Sequence, residues 1–138
     1  MKKIISLLIR IKSIEQAFVY GIKSRNGAIL YYNDPHGAKV MELIKQIRKE
    51  TEMLMYNNEA YQIYSAVERT AKIKGDIAEV GVYKGGSAKL ICETTKKPLH
   101  LFDTFEGLPD LDEKDDSKYF QKGKYSAYFE GVRNYLND

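Results

Sequence analysis

Glu79, Gly81, Gly85, Gly86 and Ser87 lie in one stretch, IAEVGVYKGGSAKL, residues 77–90, and Asp103 closes LHLFD a little further on. These residue types, in this order, suit a ligand that carries a cation, an anion and a pair of hydroxyls. A carboxylate at the end of an apolar run accepts from a cation. Glycines allow backbone to approach a ligand closely. A helix start offers N–H groups that have no partner within the helix, and these suit an anion. A second acid one strand later reaches hydroxyls: Asp103 follows Glu79 by 24 residues, near the roughly 20-residue offset at which an acid meets a ribose in dinucleotide folds.

Two phosphate-binding loops are tested first. The fingerprint G-x-G-x-x-G is absent, because Gly81, Gly85 and Gly86 give G-x-x-x-G-G. Gly81 and Gly86 have the gap of G-x-x-x-x-G-K-[ST], but Ser87 stands where the lysine is required, and without that cation a triphosphate is poorly held. S-adenosylmethionine fits better. It has no phosphate. Its ammonium needs an acceptor (Glu79), its carboxylate needs free N–H groups (Gly86, Ser87), its approach needs bare backbone (Gly81), and its ribose needs an acid (Asp103). Each residue also has a structural reading. Glu79 could cap a helix or pair with a base, Asp103 could start a turn, and the glycine pair could let the helix pack tightly on its strand.

The surrounding elements must place these groups. Val40, Leu43, Ile44 and Ile47 share a face of a helix over 37–49, and Tyr61, Tyr64, Val67 and Ala71 a face of a helix over 58–73. IAEVGV reads as a strand, residues 87–94 as a helix, and LHLFD as a second strand. A last helix is predicted from Ser126 as N-cap, with Phe129, Val132 and Leu136 on one face. His36 is read in a loop and His100 as a packed strand residue. Helix, strand, glycine turn, helix, strand is the opening of an α/β doubly wound fold. Its strands read as near-continuous apolar runs, which suit a parallel sheet buried on both faces. Upstream, Ile4, Leu8, Ile11, Ile14 and Phe18 recur at helical spacing, which predicts an amphipathic helix. Residues 20–37 read as a turn-rich loop with a short strand at 28–32.

Composition sets limits. The 138 residues fit one domain, and 43% hydrophobic content allows a packed core. The single cysteine, Cys92, excludes an internal disulfide; it fits a reducing, cytoplasmic setting and reads as a small core residue. The net charge of +3 conceals a gradient, from +6 over the first fifty residues to −4 over the last thirty-eight. No basic block is long enough for a nucleic-acid arm. The N-terminal apolar run, Ile4–Ile9, is too short and too soon broken by Arg10 and Lys12 for a signal peptide or a stable membrane insertion. The acidic run from Asp110 to Asp116 fails the calcium-loop pattern, having Asp115 and Gln121 where glycine and glutamate are needed.

GDIAEVGVYKGGSAKL followed by LHLFDTFEGLP resembles the macrocin O-methyltransferase family, over about residues 51–136, with TEMLMYNNEAYQIYSAV similar to that family's approach helix. The resemblance implies a Rossmann-like doubly wound methyltransferase fold and S-adenosylmethionine as cofactor. It implies Glu79, Gly81, Tyr83, Gly86 and Ser87 around the methionine portion, Asp103 on the ribose, and Thr104 and Phe105 lining the site. DEKDDSKYFQKGKYS would be a lid loop. The acceptor would be a sugar or natural-product hydroxyl, and in the complete enzyme a divalent metal such as magnesium would bind and activate it.

A seven-strand fold needs on the order of 200 residues. The chain is therefore expected to be such a fold truncated to its first strands, with a helical extension at 1–50 and the cofactor-binding half at 51–138. The metal ligands and general base are expected to lie beyond it. It is expected to form homo-oligomers, because two strands leave open sheet edges. Two other readings stand beside the enzyme: a non-catalytic nucleoside-binding or association module, and another nucleotide-binding α/β enzyme such as a dehydrogenase.

Overall fold

The structure is a computed structural model and describes residues 35–110 and 120–137. The predicted helix at 4–18, the strand at 28–32 and most of the lid loop lie outside the described residues.

The first described helix, α1, spans Pro35–Glu50. Pro35 suits a first helical position, where an N–H would lack a partner anyway. Val40, Ile44 and Ile47 recur along one face and are buried. Arg48 and Lys49 complement the dipole in the last turn. His36 therefore lies in a helix and not in a loop, 3.4 Å from Glu68. The second helix, α2, spans Asn57–Arg69. Its start is tied by the Tyr56 N–H, which donates to the Glu59 carboxylate at 2.5 Å. It ends four residues earlier than the hydrophobic pattern predicts: the Thr70 hydroxyl turns back onto the Ala66 carbonyl at 2.8 Å, and Ala71 is exposed beyond the helix. Val40, Ile44 and Ile47 of α1, Met53, Ala60 of α2 and Leu90 form one core.

Strand β1, Ile77–Val80, and strand β2, Leu99–Phe102, pair in parallel with Ile77 opposite Leu99 and Glu79 opposite Leu101. Helix α3, Gly86–Thr94, crosses between them, completing a β-α-β unit. Side chains alternate across a strand, so Ile77, Glu79, Leu99 and Leu101 share one face. Leu99 and Leu101 pack against a second core of Val82, Ala88 and Val132. The opposite face is open, with Val80 85% and Phe102 56% exposed. The expectation of strands buried on both faces is thus corrected: among the described elements, helices cover one face only. His100 shares the open face, where its ring lies 2.9 Å from Asp76; it is not packed.

The last helix, α4, spans Phe129–Asn137. It starts three residues after the predicted N-cap. Positive φ angles at Gly123 and Tyr125 keep the chain turning, and Ser126 donates its N–H to the Gly123 carbonyl at 3.2 Å. Val132 is buried and Leu136 half-buried, as the pattern predicts, while Phe129 is exposed. Cys92 is half-buried in α3 and is not part of the core; partial burial pushes its thiol pKa up, which makes it a poor nucleophile. No described helix is long and apolar enough to cross a membrane.

Candidate functional site

The parallel pairing brings the carboxyl ends of β1 and β2 together, the edge at which open α/β sheets bind ligands. The turn after β1 runs through Gly81 at φ +89°, a backbone conformation that favours glycine. Tyr83 adopts φ 52° without being glycine, a strained conformation of the kind that collects at functional sites. The turn is held from below by Asp103. One oxygen of its carboxylate accepts the N–H groups of Val82 at 2.6 Å and Tyr83 at 2.8 Å, and the other accepts Phe105 N–H at 2.7 Å. Desolvation works against the ionised form, but the backbone N–H groups of Tyr83, Phe105, Val82 and Thr104 outweigh it and hold the carboxyl below its ordinary value. Asp103 joins the two loops that follow the strands.

Glu79 faces α3 from the end of β1. Its Oε1 accepts the Ser87 hydroxyl, and its Oε2 is buried with no hydrogen-bond partner. Burial raises the Glu79 pKa; the Ser87 hydroxyl opposes this and nearby Asp103 adds to it. A buried, unpartnered carboxylate oxygen carries a desolvation cost that a cationic donor would offset. The start of α3 has no side-chain cap on its first-turn N–H groups. Gly86 allows this helix start to sit against residue 53: a Cβ there would lie 3.1 Å from Met53 Cβ.

Between the turn and the segment after α1 lies a cavity of about 130 Å³, lined by Glu52, Met53, Leu54, Met55, Gly81, Val82, Tyr83, Gly86 and Ser87. Predicted residues Gly81, Tyr83, Gly86 and Ser87 meet here, with Glu79 bonded to Ser87. The cavity is smaller than the roughly 300–1,000 Å³ of a drug-sized ligand site, and suits the amino-acid end of a longer molecule. A second cleft, of about 480 Å³, is lined by Thr104, Glu106, Gly107, Leu108, Pro109, Asp110, Lys122 and Gly123. Thr104 therefore sits in the second cavity. Phe105 lines neither: its ring packs on the second core and edge-to-face against Phe129, centroids 5.2 Å apart.

Sequence reasoning missed the wall formed by residues 52–55. The resemblance set TEMLMY within an approach helix, while the residue spacing began that helix at 58; in the structure these residues precede α2. Arg48 organises them, donating to the Met53 carbonyl at 2.8 Å, to the Met55 carbonyl and to Asn57 Oδ1 at 2.9 Å. Glu52 then accepts Tyr83 OH at 3.0 Å and Lys84 Nζ at 2.6 Å, and the Thr51 hydroxyl donates to the Lys84 carbonyl at 3.0 Å. The available signal was Asn57-Asn58-Glu59, a helix-start composition that leaves 51–56 outside α2.

A cleft of about 590 Å³ between α1, α3 and α4 has the larger volume, but its polar groups pair with each other. Tyr135 OH donates to Glu50 at 2.9 Å, and Lys89 lies 3.8 Å from Glu93. Desolvation and Glu50 both push the Tyr135 pKa up. None of the described side chains there has a buried polar atom without a hydrogen-bond partner, as Glu79 has in Oε2. Among the described residues no group of three His, Cys, Asp or Glu side chains could hold a metal ion.

No curated protein and no solved structure matches the chain. The family model described as macrocin-O-methyltransferase (TylF) matches residues 54–132, a span that holds more than half of the chain and runs from the 52–55 wall through both strands and the glycine turn into α4. The chain belongs to the macrocin O-methyltransferase (TylF) family.

Proposed function

We propose that the turn after β1 is the S-adenosylmethionine site of an O-methyltransferase acting on a sugar or natural-product hydroxyl. Family membership supports methyltransferase chemistry in general. The observation that carries the site is the buried, unpartnered Oε2 of Glu79 beside an uncapped helix start. Glu79 would accept from the ammonium, and the first-turn N–H groups of α3 would hold the carboxylate. Asp103, which ties the loops after both strands together, would accept from the ribose hydroxyls with the acceptor capacity its three backbone bonds leave. The bound cofactor supplies an electrophilic methyl group. The described residues would position and orient it; activation of the acceptor hydroxyl is assigned to none of them.

Calorimetric titration of the full chain with S-adenosylhomocysteine, NAD and ATP tests this reading. Saturable binding of S-adenosylhomocysteine alone is expected. Preferential binding of NAD or ATP, or no binding by a folded chain, would overturn it.

A further inference from the structure

Both strands are entered from basic segments. Arg69, Lys72 and Lys74 lie in RTAKIK, residues 69–74, shortly before β1, and Lys96 and Lys97 lie in TKKP, residues 95–98, directly before β2. The fold brings the two segments together. The Lys97 ammonium donates to the Thr70 carbonyl at 3.0 Å and to the Ile73 carbonyl, and Ile77 N–H donates to the Pro98 carbonyl at 3.0 Å. Arg69, Lys72, Lys74 and Lys96 are exposed. Among the described residues no carboxylate pairs with any of these four. The acids nearest them in sequence are engaged elsewhere: Glu68 lies 3.4 Å from His36, Asp76 lies 2.9 Å from His100, and Glu93 lies 3.8 Å from Lys89. Between Lys72 and Lys74, Ile73 is 63% exposed. An exposed apolar residue alone is ordinary. One set among unpaired cations is the composition that meets a lipid headgroup region, with charge for the phosphates and an apolar group for the boundary below them.

Independently of the cofactor reading, we infer that this surface at the amino ends of the strands is a peripheral docking site for an anionic lipid bilayer. Charge complementarity supplies the attraction, about fivefold in affinity for each Lys or Arg near the headgroups. Ile73 adds an apolar contact that a purely electrostatic partner would not use. Nucleic acid fits less well, because neither segment holds an aromatic side chain on which a base could stack. The candidate cofactor site lies at the other ends of the same strands, about 10 Å along, so docking in this way leaves the glycine turn uncovered. Two weak signals acting together give reversible binding that salt weakens.

The test is flotation of the full chain with vesicles of phosphatidylcholine and phosphatidylglycerol in a two-to-one ratio, beside vesicles of phosphatidylcholine alone. Flotation separates lipid-bound chain from self-associated chain, which pelleting does not. The chain should float with the anionic vesicles only, and raised salt should release it. Lys72→Gln combined with Lys74→Gln and Lys96→Gln should weaken partitioning by roughly a hundredfold; Lys97 is kept, since it ties the two segments. Ile73→Ser should weaken partitioning by roughly tenfold and leave its salt dependence unchanged. Flotation that survives the triple lysine variant, or that is lost instead in Arg10→Gln with Lys12→Gln, overturns the assignment of this surface. Equal flotation with both kinds of vesicle, or with neither, overturns the lipid. Tighter binding to a single-stranded oligonucleotide, lost in the triple variant and untouched by Ile73→Ser, gives the surface to nucleic acid and overturns it as well.

Discussion

Replacing Asp103 by alanine removes three backbone partners at once, and the structure allows the cost to be worked out. Val82, Tyr83 and Phe105 lose the acceptor that now lies 2.6, 2.8 and 2.7 Å from their N–H groups. A hydrogen bond to a charged group contributes about 1.5–3 kcal/mol. The carboxylate is only part-buried and water can replace some of this, so the sum is discounted to about 3 kcal/mol. At roughly 3–5 °C per kcal/mol for a chain of this size, the Asp103→Ala variant should melt about 10–15 °C below wild type at pH 7. Asp103→Asn, which keeps one acceptor oxygen and loses the charge, should fall between them. The pH dependence has a definite sign. The folded-state pKa lies below the ordinary 3.8, so the stabilisation is complete above that value and is lost as pH falls through the folded one. The gap between wild type and Asp103→Asn should therefore close in strong acid. Thermal melts followed by circular dichroism from pH 7 to pH 2 measure it. A variant that melts within about 2 °C of wild type at neutral pH would refute the claim that Asp103 holds the turn.

Glu79 should behave in the opposite sense. Its pKa is raised by burial, so ionisation costs stability as pH rises above the ordinary glutamate value of 4.5. Glu79→Gln should melt above wild type at pH 7 and equal to it near pH 4, while losing cofactor affinity; equal melting at both values would contradict the burial argument. Gly107→Ala should destabilise by roughly 2–4 kcal/mol, because a Cβ there would lie 2.5 Å from the Lys124 carbonyl oxygen at a φ of +79°; an unchanged denaturant midpoint would refute it. The strand edges that no described residue pairs, and the open face bearing Val80 and Phe102, should drive self-association; sedimentation velocity should show species above 15.9 kDa, and a monodisperse monomer would contradict this.

Much of the local structure was legible because the chain is punctuated clearly. The run from Ile77 to Thr94 states strand, turn and helix in order, and the structure places them there. Val40, Ile44 and Ile47 mark α1 by spacing alone. Where the reading failed, contacts that hydrophobic spacing does not encode decided the outcome. Ala71 continues an apolar stripe, but the Thr70 hydroxyl bonds the Ala66 carbonyl at the point where the helix ends. Ser126 is a good cap by type, yet Tyr125 lies at positive φ just before it and Ala127 N–H is drawn to the Phe105 carbonyl at 3.2 Å. The site shows the same division. Gly81, Gly86 and Ser87 were visible because their types are unusual in a row. Glu52 was not, since it becomes a wall residue only when Arg48 fixes the path of 53–57, a contact that periodicity does not reveal.

Amide hydrogen exchange of the full chain with and without S-adenosylhomocysteine tests the central claim most directly, because it reports where the ligand sits and not only that it binds. Slowed exchange at residues 81–88, at 52–55 and at 104–106, with the outer cleft of α1, α3 and α4 unchanged, is the predicted result. Protection confined to that outer cleft, or no protection anywhere in a folded chain at saturating ligand, would contradict it.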